Sequence, residues 1–175
     1  MAGPSASVVL PSSLGDDDIA SVIRQMSDAT SVDIQSTSTD FWISDGRAIG
    51  VDYCGEGRPF IMTLGEQFDV DEIDALATIL PWTPQDQIGL AAMCNSDVDH
   101  ALLAHLCLHL SEKFSGVTDL GGDLRTFTSD AGILSNAGDC AVEYVSALGQ
   151  TCVSHFLLPA GLRRWCQHPD FRMVK

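Results

Sequence analysis

The segment from Asp97 to Phe114 is the strongest helical pattern in the chain. At about 100° per residue, its largest apolar side chains fall on one stripe. They are Leu102, Leu103, Leu106, Leu110 and Phe114. Ser96 or Asp97 can cap the first turn, and Gly116 stands where a left-handed residue would end the helix. The sequence therefore predicts a long helix with one buried stripe.

Short segments of alternating or β-branched residues predict the strands against which this helix packs. They lie at 7–11, 32–37, 40–44, 48–54, 58–64, 87–95, 117–120, 140–146 and 151–158. Two of these predictions are more specific: 87–95 has the composition of a strand buried on both faces, and the last two segments form a hairpin around Leu148–Gly149. Further helical patterns start at the acidic runs 16–18 and 69–74 and near Pro159.

Strands and helices alternate irregularly, with hairpins between them, which is typical of α+β proteins. We predict a single α+β domain covering residues 1–175, built on one mixed, mainly antiparallel sheet with about three to four helices packed on it. Residues 121–139 are rich in Gly, Asp, Ser and Thr. This composition predicts a long surface loop.

The predicted long helix contains HALLAHLCLH at 100–109, and histidine and cysteine are residue types that bind transition metals. Only His105 and His109 point the same way, at the i, i+4 spacing. Helical zinc hydrolases with this spacing need a carboxylate beside the first histidine as general base, and here that neighbour is Leu106. His155 and His168 show no local ligand pattern. We therefore interpret the histidines as boundary residues of a core helix, and expect no metal and no other cofactor.

Other catalytic patterns have structural interpretations. The acidic runs stand at helix starts, where carboxylates stabilise the first turn. Gly121–Gly122 lacks the Lys-Ser/Thr of a phosphate-binding loop, and the chain has no Gly-x-Ser-x-Gly elbow. A Cys–His pair formed by the fold, for instance with Cys54 or Cys94, stays open as an alternative.

The six cysteines are dispersed, without a CxxC pair and mostly in apolar contexts. Their spacing matches neither a zinc ribbon nor a compact disulfide framework. Free thiols commonly bury as small hydrophobic groups. No apolar run approaches the ~20 residues of a membrane helix, and the first residues lack the basic region of a secretory signal. We therefore expect reduced thiols in a cytoplasmic protein.

The chain is strongly acidic, with nine Lys and Arg against 24 Asp and Glu and a formal net charge of −15. A field of that sign repels nucleic acids and anionic membranes and attracts basic partners. We expect no direct contact with nucleic acid or with a membrane.

Five blocks of the chain resemble a family of small bacterial proteins. They are GPSASVVLP, DFWISDGRAIGVDY, IGLAAMCNSDVDHALLAHL, FSGVTDLGG and HPDFRMVK. Proteins of that kind are encoded beside secreted antibacterial toxins, such as those of type VI secretion, and act as immunity proteins in interbacterial competition. The blocks span nearly the whole chain, which favours one domain, and carry no catalytic motif. The resemblance implies a non-enzymatic antitoxin that binds a cognate toxin domain and blocks its active site.

An acidic immunity protein gains association rate and specificity if its toxin presents a basic cleft. The alternative is a small cytosolic enzyme, such as a hydrolase that reverses a toxin's modification or acts on a small molecule. Candidate partner-binding residues lie at the acidic helix starts and in the predicted loop: Asp16, Asp17, Asp18, Asp69, Asp71, Glu72, Asp74, Asp119, Asp123 and Asp130. Trp42, Trp82 and Trp165 are candidates either for aromatic anchors or for the core.

Overall fold

A computed structural model describes residues 3–30, 34, 40–65, 68, 70–134, 140–145 and 149–174, although not the side chains at 70, 71, 131, 134 and 140. Its strands are β1 (Ser5–Leu10), β2 (Asp40–Asp45), β3 (Cys54–Leu64), β4 (Asp86–Ala92), β5 (Val117–Asp119), β6 (Cys140–Val145) and β7 (Thr151–Leu157). Its α-helices are α1 (Asp16–Thr30), α2 (Val70–Ala77), α3 (Asp97–Phe114), α4 (Ala131–Leu134) and α5 (Pro159–Cys166).

The strands form one sheet in the order β2-β3-β4-β1-β5-β7-β6, and all neighbouring strands are antiparallel. Four of the described helices have eight residues or more, and α4 is a single turn. The predicted α+β class is confirmed. The predicted sheet was mixed, whereas the strand pairs that the structure describes are antiparallel throughout.

Three helices, α1, α3 and α5, cover one face of the sheet, which we call the helical face. The alternating residues Ala6, Val8 and Leu10 of β1 point into this layer. The predicted stripe of α3 is buried there, with Leu102, Leu103, Leu106 and Leu110 fully inaccessible to solvent. Ala104, Cys107 and Leu108 are also buried, so the covered arc of α3 is wider than predicted. The extra coverage arises because α1 and α5 flank α3.

The first turn of α3 is fixed to the sheet by an ion pair between Arg58 of β3 and Asp99, whose side chain is fully buried. The carboxylate of Asp99 accepts hydrogen bonds from Arg58 Nε at 2.7 Å and Nη2 at 2.5 Å. It also accepts from the amide and hydroxyl of Ser96, both at 2.7 Å. Burial disfavours the charged acid, but the hydrogen bonds from Arg58 and Ser96 outweigh it and lower the pKa of Asp99.

The C-terminal end of α3 differs from its prediction. The left-handed residue is Ser115, at φ 55°, and not Gly116. A Cβ at Gly116 would lie 2.5 Å from the Val9 carbonyl oxygen. Glycine is therefore needed at 116 for close approach to β1, while the preceding serine adopts the left-handed conformation.

Two strand predictions are wrong in part. A 3-10 turn at Arg47–Ile49 overlaps the start of the predicted strand 48–54, and β3 begins only at Cys54. The segment 87–95 was predicted to be buried on both faces, but β4 alternates between buried and half-buried residues. Its second face carries Gln87, Gly89 and Ala91, whose small or polar side chains leave that side uncovered. Most of the predicted strand 32–37 lies outside the described residues.

The segment predicted as a long loop, 121–139, is described as far as residue 134. It contains a 3-10 turn at Leu124–Thr126 and the short helix α4. Leu124 is fully buried, and its amide donates to His155 Nδ1 at 3.0 Å. This segment therefore packs against the end of β7. The C-terminal tail is anchored similarly, because the Met173 amide donates to His100 Nδ1 at 3.0 Å.

Candidate functional site

The second face of the sheet is covered by α2 over only part of its width. Leu76 and Leu80, from α2 and the turn after it, pack on a small apolar cluster of the strands. The strand residues of this cluster are Val9, Val117, Val142 and Phe156. We call this region the covered half. The remainder, on β2, β3, β4 and the start of β1, carries no described helix and is called the open half.

A trough of about 280 Å³ crosses the open half. Its floor is made of small side chains, because Ser5 pairs with Ala91 and Ser7 pairs with Gly89 across β1 and β4. Ile61 and Thr63 of β3 line one side, and Asp119 of β5 lines the other. The trough exists because these strand positions lack the large side chains that fill the covered half.

An apolar rim continues from the trough towards the edge strand β2. Trp42 is 52% exposed and Met93 is 50% exposed, which makes them two of the most exposed large apolar residues described. They line a second hollow of about 220 Å³, together with Asp40, Pro59 and Ile61. Ile61 lines both hollows, so the rim and the trough form one continuous surface.

Trp42 packs on Gly57 of the adjacent strand β3, two residues before its register partner Pro59. A Cβ at Gly57 would lie 3.2 Å from Trp42 Cβ and 3.3 Å from Cδ1. The indole therefore lies against the strand at a position where any larger residue would crowd it. Cross-strand packing of an aromatic ring on glycine stabilises such a pair and restricts the ring's orientation. Trp42 is thus held in place although it is half exposed.

Asp119 is the carboxylate of the trough. Its Oδ1 accepts hydrogen bonds from the Gly121 amide at 2.8 Å and from the Ser154 hydroxyl. Burial raises the pKa of Asp119, and the hydrogen bonds from Ser154 and Gly121 offset only part of this effect. Among the described residues, Oδ2 has no hydrogen-bond partner.

Tyr144 lies on the edge strand β6, opposite Cys152 of β7. Burial raises the pKa of its phenol, and the charges that Asp119, Cys152 and Glu72 carry when ionised raise it further. Acidic groups of β5 and of α2 therefore both act on the Tyr144 phenol.

The other predicted acidic residues are dispersed over the molecule. Asp16, Asp17 and Asp18 are exposed at the start of α1, and α1 packs on the helical face, away from the trough. Asp18 accepts from the Gly15 amide at 3.0 Å, so it caps this helix. Glu72 and Asp74 lie on α2, while Asp69 and the side chain of Asp71 fall outside the described residues.

Two candidates of the predicted loop have local partners. Asp123 forms a salt bridge of 2.8 Å with Arg125, and the hydrogen bond from Arg125 lowers the pKa of Asp123. Asp130 accepts from the Gly132 amide at 2.7 Å and lies 3.4 Å from His168 Nε2. Among the predicted acidic residues whose side chains are described, Asp119 is the one that lines the trough.

The three tryptophans have different environments. Trp165 is fully buried, and its Nε1 donates to the Arg172 carbonyl oxygen at 2.9 Å. Trp82 is partly buried against the cluster of the covered half. Trp42 alone of the three lines a hollow of the open half. Ile61 and Met93 were not predicted as site residues, although the alternation of 58–64 places Ile61 on the same face as Pro59.

The histidines of α3 have separate surroundings. His105 Nδ1 lies 2.7 Å from the Ile49 carbonyl oxygen, and His100 Nε2 lies 3.1 Å from Asn95 Oδ1. His109 Nε2 is buried and has no partner among the described residues. No cluster of three or more His, Cys, Asp or Glu suited to a metal occurs within the described part of the chain. Burial raises the pKa of Cys107 and Cys166, which keeps these thiols protonated and unreactive.

These observations define an α+β protein whose single antiparallel sheet is covered on one face and half open on the other. The chain belongs to a family of unknown function, DUF6368, which it matches over residues 2–175. No curated protein and no solved structure shows significant similarity to it. Of the helices within the described ranges, none has the length and apolar character needed to cross a membrane.

Proposed function

We propose that this chain is a non-enzymatic immunity protein that binds a bacterial toxin domain through the open half of its sheet. One observation carries the proposal: Trp42 and Met93 are half exposed beside the trough that contains Asp119, on the half of the sheet face that no described helix covers. Exposed apolar surface rimmed by polar residues marks protein interaction sites. The toxin domain covers this surface, and its active site is blocked in the complex.

The chemistry of the surface suits a partner with a basic cleft. Trp42 is an aromatic group with little conformational freedom to lose, and such residues supply much of the binding energy of protein interfaces. Asp40 and Asp119 contribute negative charge at the two ends of the surface. The net charge of −15 adds long-range attraction, which raises the association rate with a basic partner.

The test is co-expression with the product of the adjacent gene, followed by purification and an assay of that product's toxicity. We expect a stable complex in which toxicity is abolished. Trp42→Thr should weaken the complex by about tenfold or more, as the loss of a hot-spot residue does. Val145→Thr is the matched control, because Val145 is 53% exposed on the opposite edge strand β6. That variant should bind as the unmodified chain does.

Equal binding by the Trp42→Thr variant, or equal weakening by Val145→Thr, would show that the open half is not the toxin-binding surface. The ratio of the two proteins separates binding from catalysis. A binding protein neutralises its toxin at about one equivalent, whereas an enzyme that reverses a toxin's modification acts far below one equivalent. Neutralisation at a small fraction of an equivalent would therefore refute the non-enzymatic proposal.

A further inference from the structure

We propose that the trough is a receptor for one basic side chain of the partner, a lysine or arginine whose charged group pairs with Asp119. This inference rests on the proposed function and specifies which group of the toxin enters the open half. The partner's side chain runs across the small residues of the floor and ends at the carboxylate.

The bonding of Asp119 is incomplete in a way that a cation would complete. Ser154 and Gly121 both donate to Oδ1, and Oδ2 has no hydrogen-bond donor among the described residues. No basic residue is among those that line the trough. Asp119 is half-buried, and a cationic partner would compensate the free-energy cost of removing its carboxylate from water.

Three other aspartates are paired with arginines of the same chain. Asp45 is bound by Arg47, Asp99 by Arg58 and Asp123 by Arg125, although the chain has only nine basic residues. The pKa of each of these three carboxyl groups is lowered by its arginine, whereas burial raises the pKa of Asp119. A partner's ammonium or guanidinium group at Oδ2 would give Asp119 the environment that the three paired aspartates already have.

The trough also has the size and lining for a single side chain. Its volume of about 280 Å³ is below the ~300–1,000 Å³ of pockets for small-molecule ligands. Ile61 and Ala91 offer apolar contact to a methylene stem, and Gln87 and Ser7 offer further polar groups. Lysine and arginine combine such a stem with a charged end, so their two parts match the two parts of the trough.

The experiment is an NMR titration of the full chain with capped pentapeptides, Gly-Gly-Xaa-Gly-Gly, in which Xaa is arginine, lysine, citrulline or norleucine. Citrulline and norleucine preserve the shape of the basic side chains and remove their charge. We expect the arginine and lysine peptides to shift the amide signals of Ser7, Gly89 and Gly121, which lie along the trough. The neutral peptides should not shift these signals.

Asp119→Asn is the decisive variant, since an amide oxygen can still accept from Ser154 and Gly121. It should weaken binding of the basic peptides by at least about tenfold, as expected for loss of a charge-assisted pair. Asp28→Asn is the matched control: it removes one exposed carboxylate from α1, on the opposite face of the sheet. Equal shifts with citrulline, or unchanged binding by the Asp119→Asn variant, would overturn the inference.

The toxin complex separates this inference from the proposed function. We expect Asp119→Asn to lower the affinity for the toxin by about tenfold or more and Asp28→Asn by much less. If the Asp119→Asn variant binds the toxin as the unmodified chain does, the inference is wrong and the immunity function stands. If the unmodified chain binds basic peptides in the trough but not the toxin, the toxin partner is wrong and the specificity of the trough stands.

Discussion

The covered and open halves of the second face differ in the side chains that the same strands present. In β1, Val9 contacts the apolar cluster under α2, whereas Ser5 and Ser7 line the trough. The backbone pairing of β1 with β4 and β5 is regular, so the difference along this strand lies in side-chain size and polarity. In the covered half, a helix of the same chain packs on large apolar residues. In the open half, small residues leave a concave surface that another molecule can fill. The sequence of one strand thus specifies both outcomes.

An antiparallel sheet commonly presents one face to water, and that face then carries polar residues. Here the open half departs from the rule, because Trp42, Met93 and Ile61 are apolar and two of them are half exposed. In the free protein, the exposed parts of these side chains do not contribute the free energy that burial of apolar surface provides. A partner that covers them recovers this free energy, which is the physical basis for assigning the interface to this half.

The largest expected effect lies in the covered half. Phe156 is 1% exposed at the centre of the cluster beneath α2. Phe156→Ala should lower the free energy of unfolding by about 3–5 kcal/mol, because it removes buried contacts and leaves a cavity. Urea denaturation followed by circular dichroism measures this. A loss below ~1 kcal/mol, the size typical of a surface substitution, would mean that α2 does not protect this half and that the two halves are alike.

A smaller effect is expected at the buried ion pair on the helical face. Asp99→Asn should lower the unfolding free energy by about 1–3 kcal/mol at pH 7, because Arg58 loses its charged partner. The lowered pKa of Asp99 means that its ionised form stabilises the fold. This stabilisation is complete above the unfolded-state pKa of ~3.9 and is lost as the pH falls through the folded-state value.

The difference between the Asp99→Asn variant and the unmodified chain should therefore shrink below about pH 3.9. Thermal melts at several pH values test this. Asp45→Asn is the control, since it removes a solvent-exposed aspartate–arginine pair of the same type. Exposed pairs contribute little, so this variant should melt close to the unmodified chain. Equal losses for Asp45→Asn and Asp99→Asn would contradict the role assigned to burial at Asp99.

Trp42→Thr should have a still smaller effect on stability, although it is expected to impair binding. The substitution keeps a β-branched residue in an edge strand and removes a side chain that is already 52% exposed. We expect a loss below about 1 kcal/mol in urea denaturation. Val145→Thr, at similar exposure on the other edge strand, should lose about as little. A loss comparable to that of Phe156→Ala would assign Trp42 to the core and remove it as a binding residue.

Local patterns in the sequence predicted most elements of the fold, since helix spacing, caps and strand alternation depend on neighbouring residues. The stripe of α3 and the hairpin of β6 and β7 are examples. The trough depends on contacts between distant segments and was not predicted. No local sequence pattern marks the residues of its floor as a site: Ser5, Ser7, Gly89 and Ala91. They come together only because β1 pairs with β4.

Asp119 shows the limit of sequence reasoning for the site. It was predicted together with Asp123 and Asp130 because all three flank or belong to one acidic loop. The fold separates them: Asp123 pairs with Arg125, Asp130 lies near His168, and Asp119 points into the trough from β5. Only the strand register distinguishes Asp119 from the others, since it pairs Asp119 with Ser7 on the second face.

The smallest effect, and one of opposite sign, is expected for the stability of the Asp119→Asn variant. Burial raises the pKa of Asp119, so the folded state binds this proton more tightly than the unfolded state does. Stability must then fall as the pH rises from ~3.9 through the folded-state pKa, and the full penalty is present at pH 7.

Asparagine has no charge to desolvate and keeps an oxygen for Ser154 and Gly121. We expect a gain of about 0.5 kcal/mol at pH 7, which corresponds to roughly 1–2 °C in Tm. Melting curves at pH 7 and pH 3 measure it, and the gain should vanish at pH 3, where the carboxyl group is protonated in both states. A lower Tm for the variant at pH 7 would mean that the ionised carboxylate stabilises the free protein, as Asp99 does. The carboxylate of the trough would then be stable without a partner, and Asp119 would need no cation from the toxin.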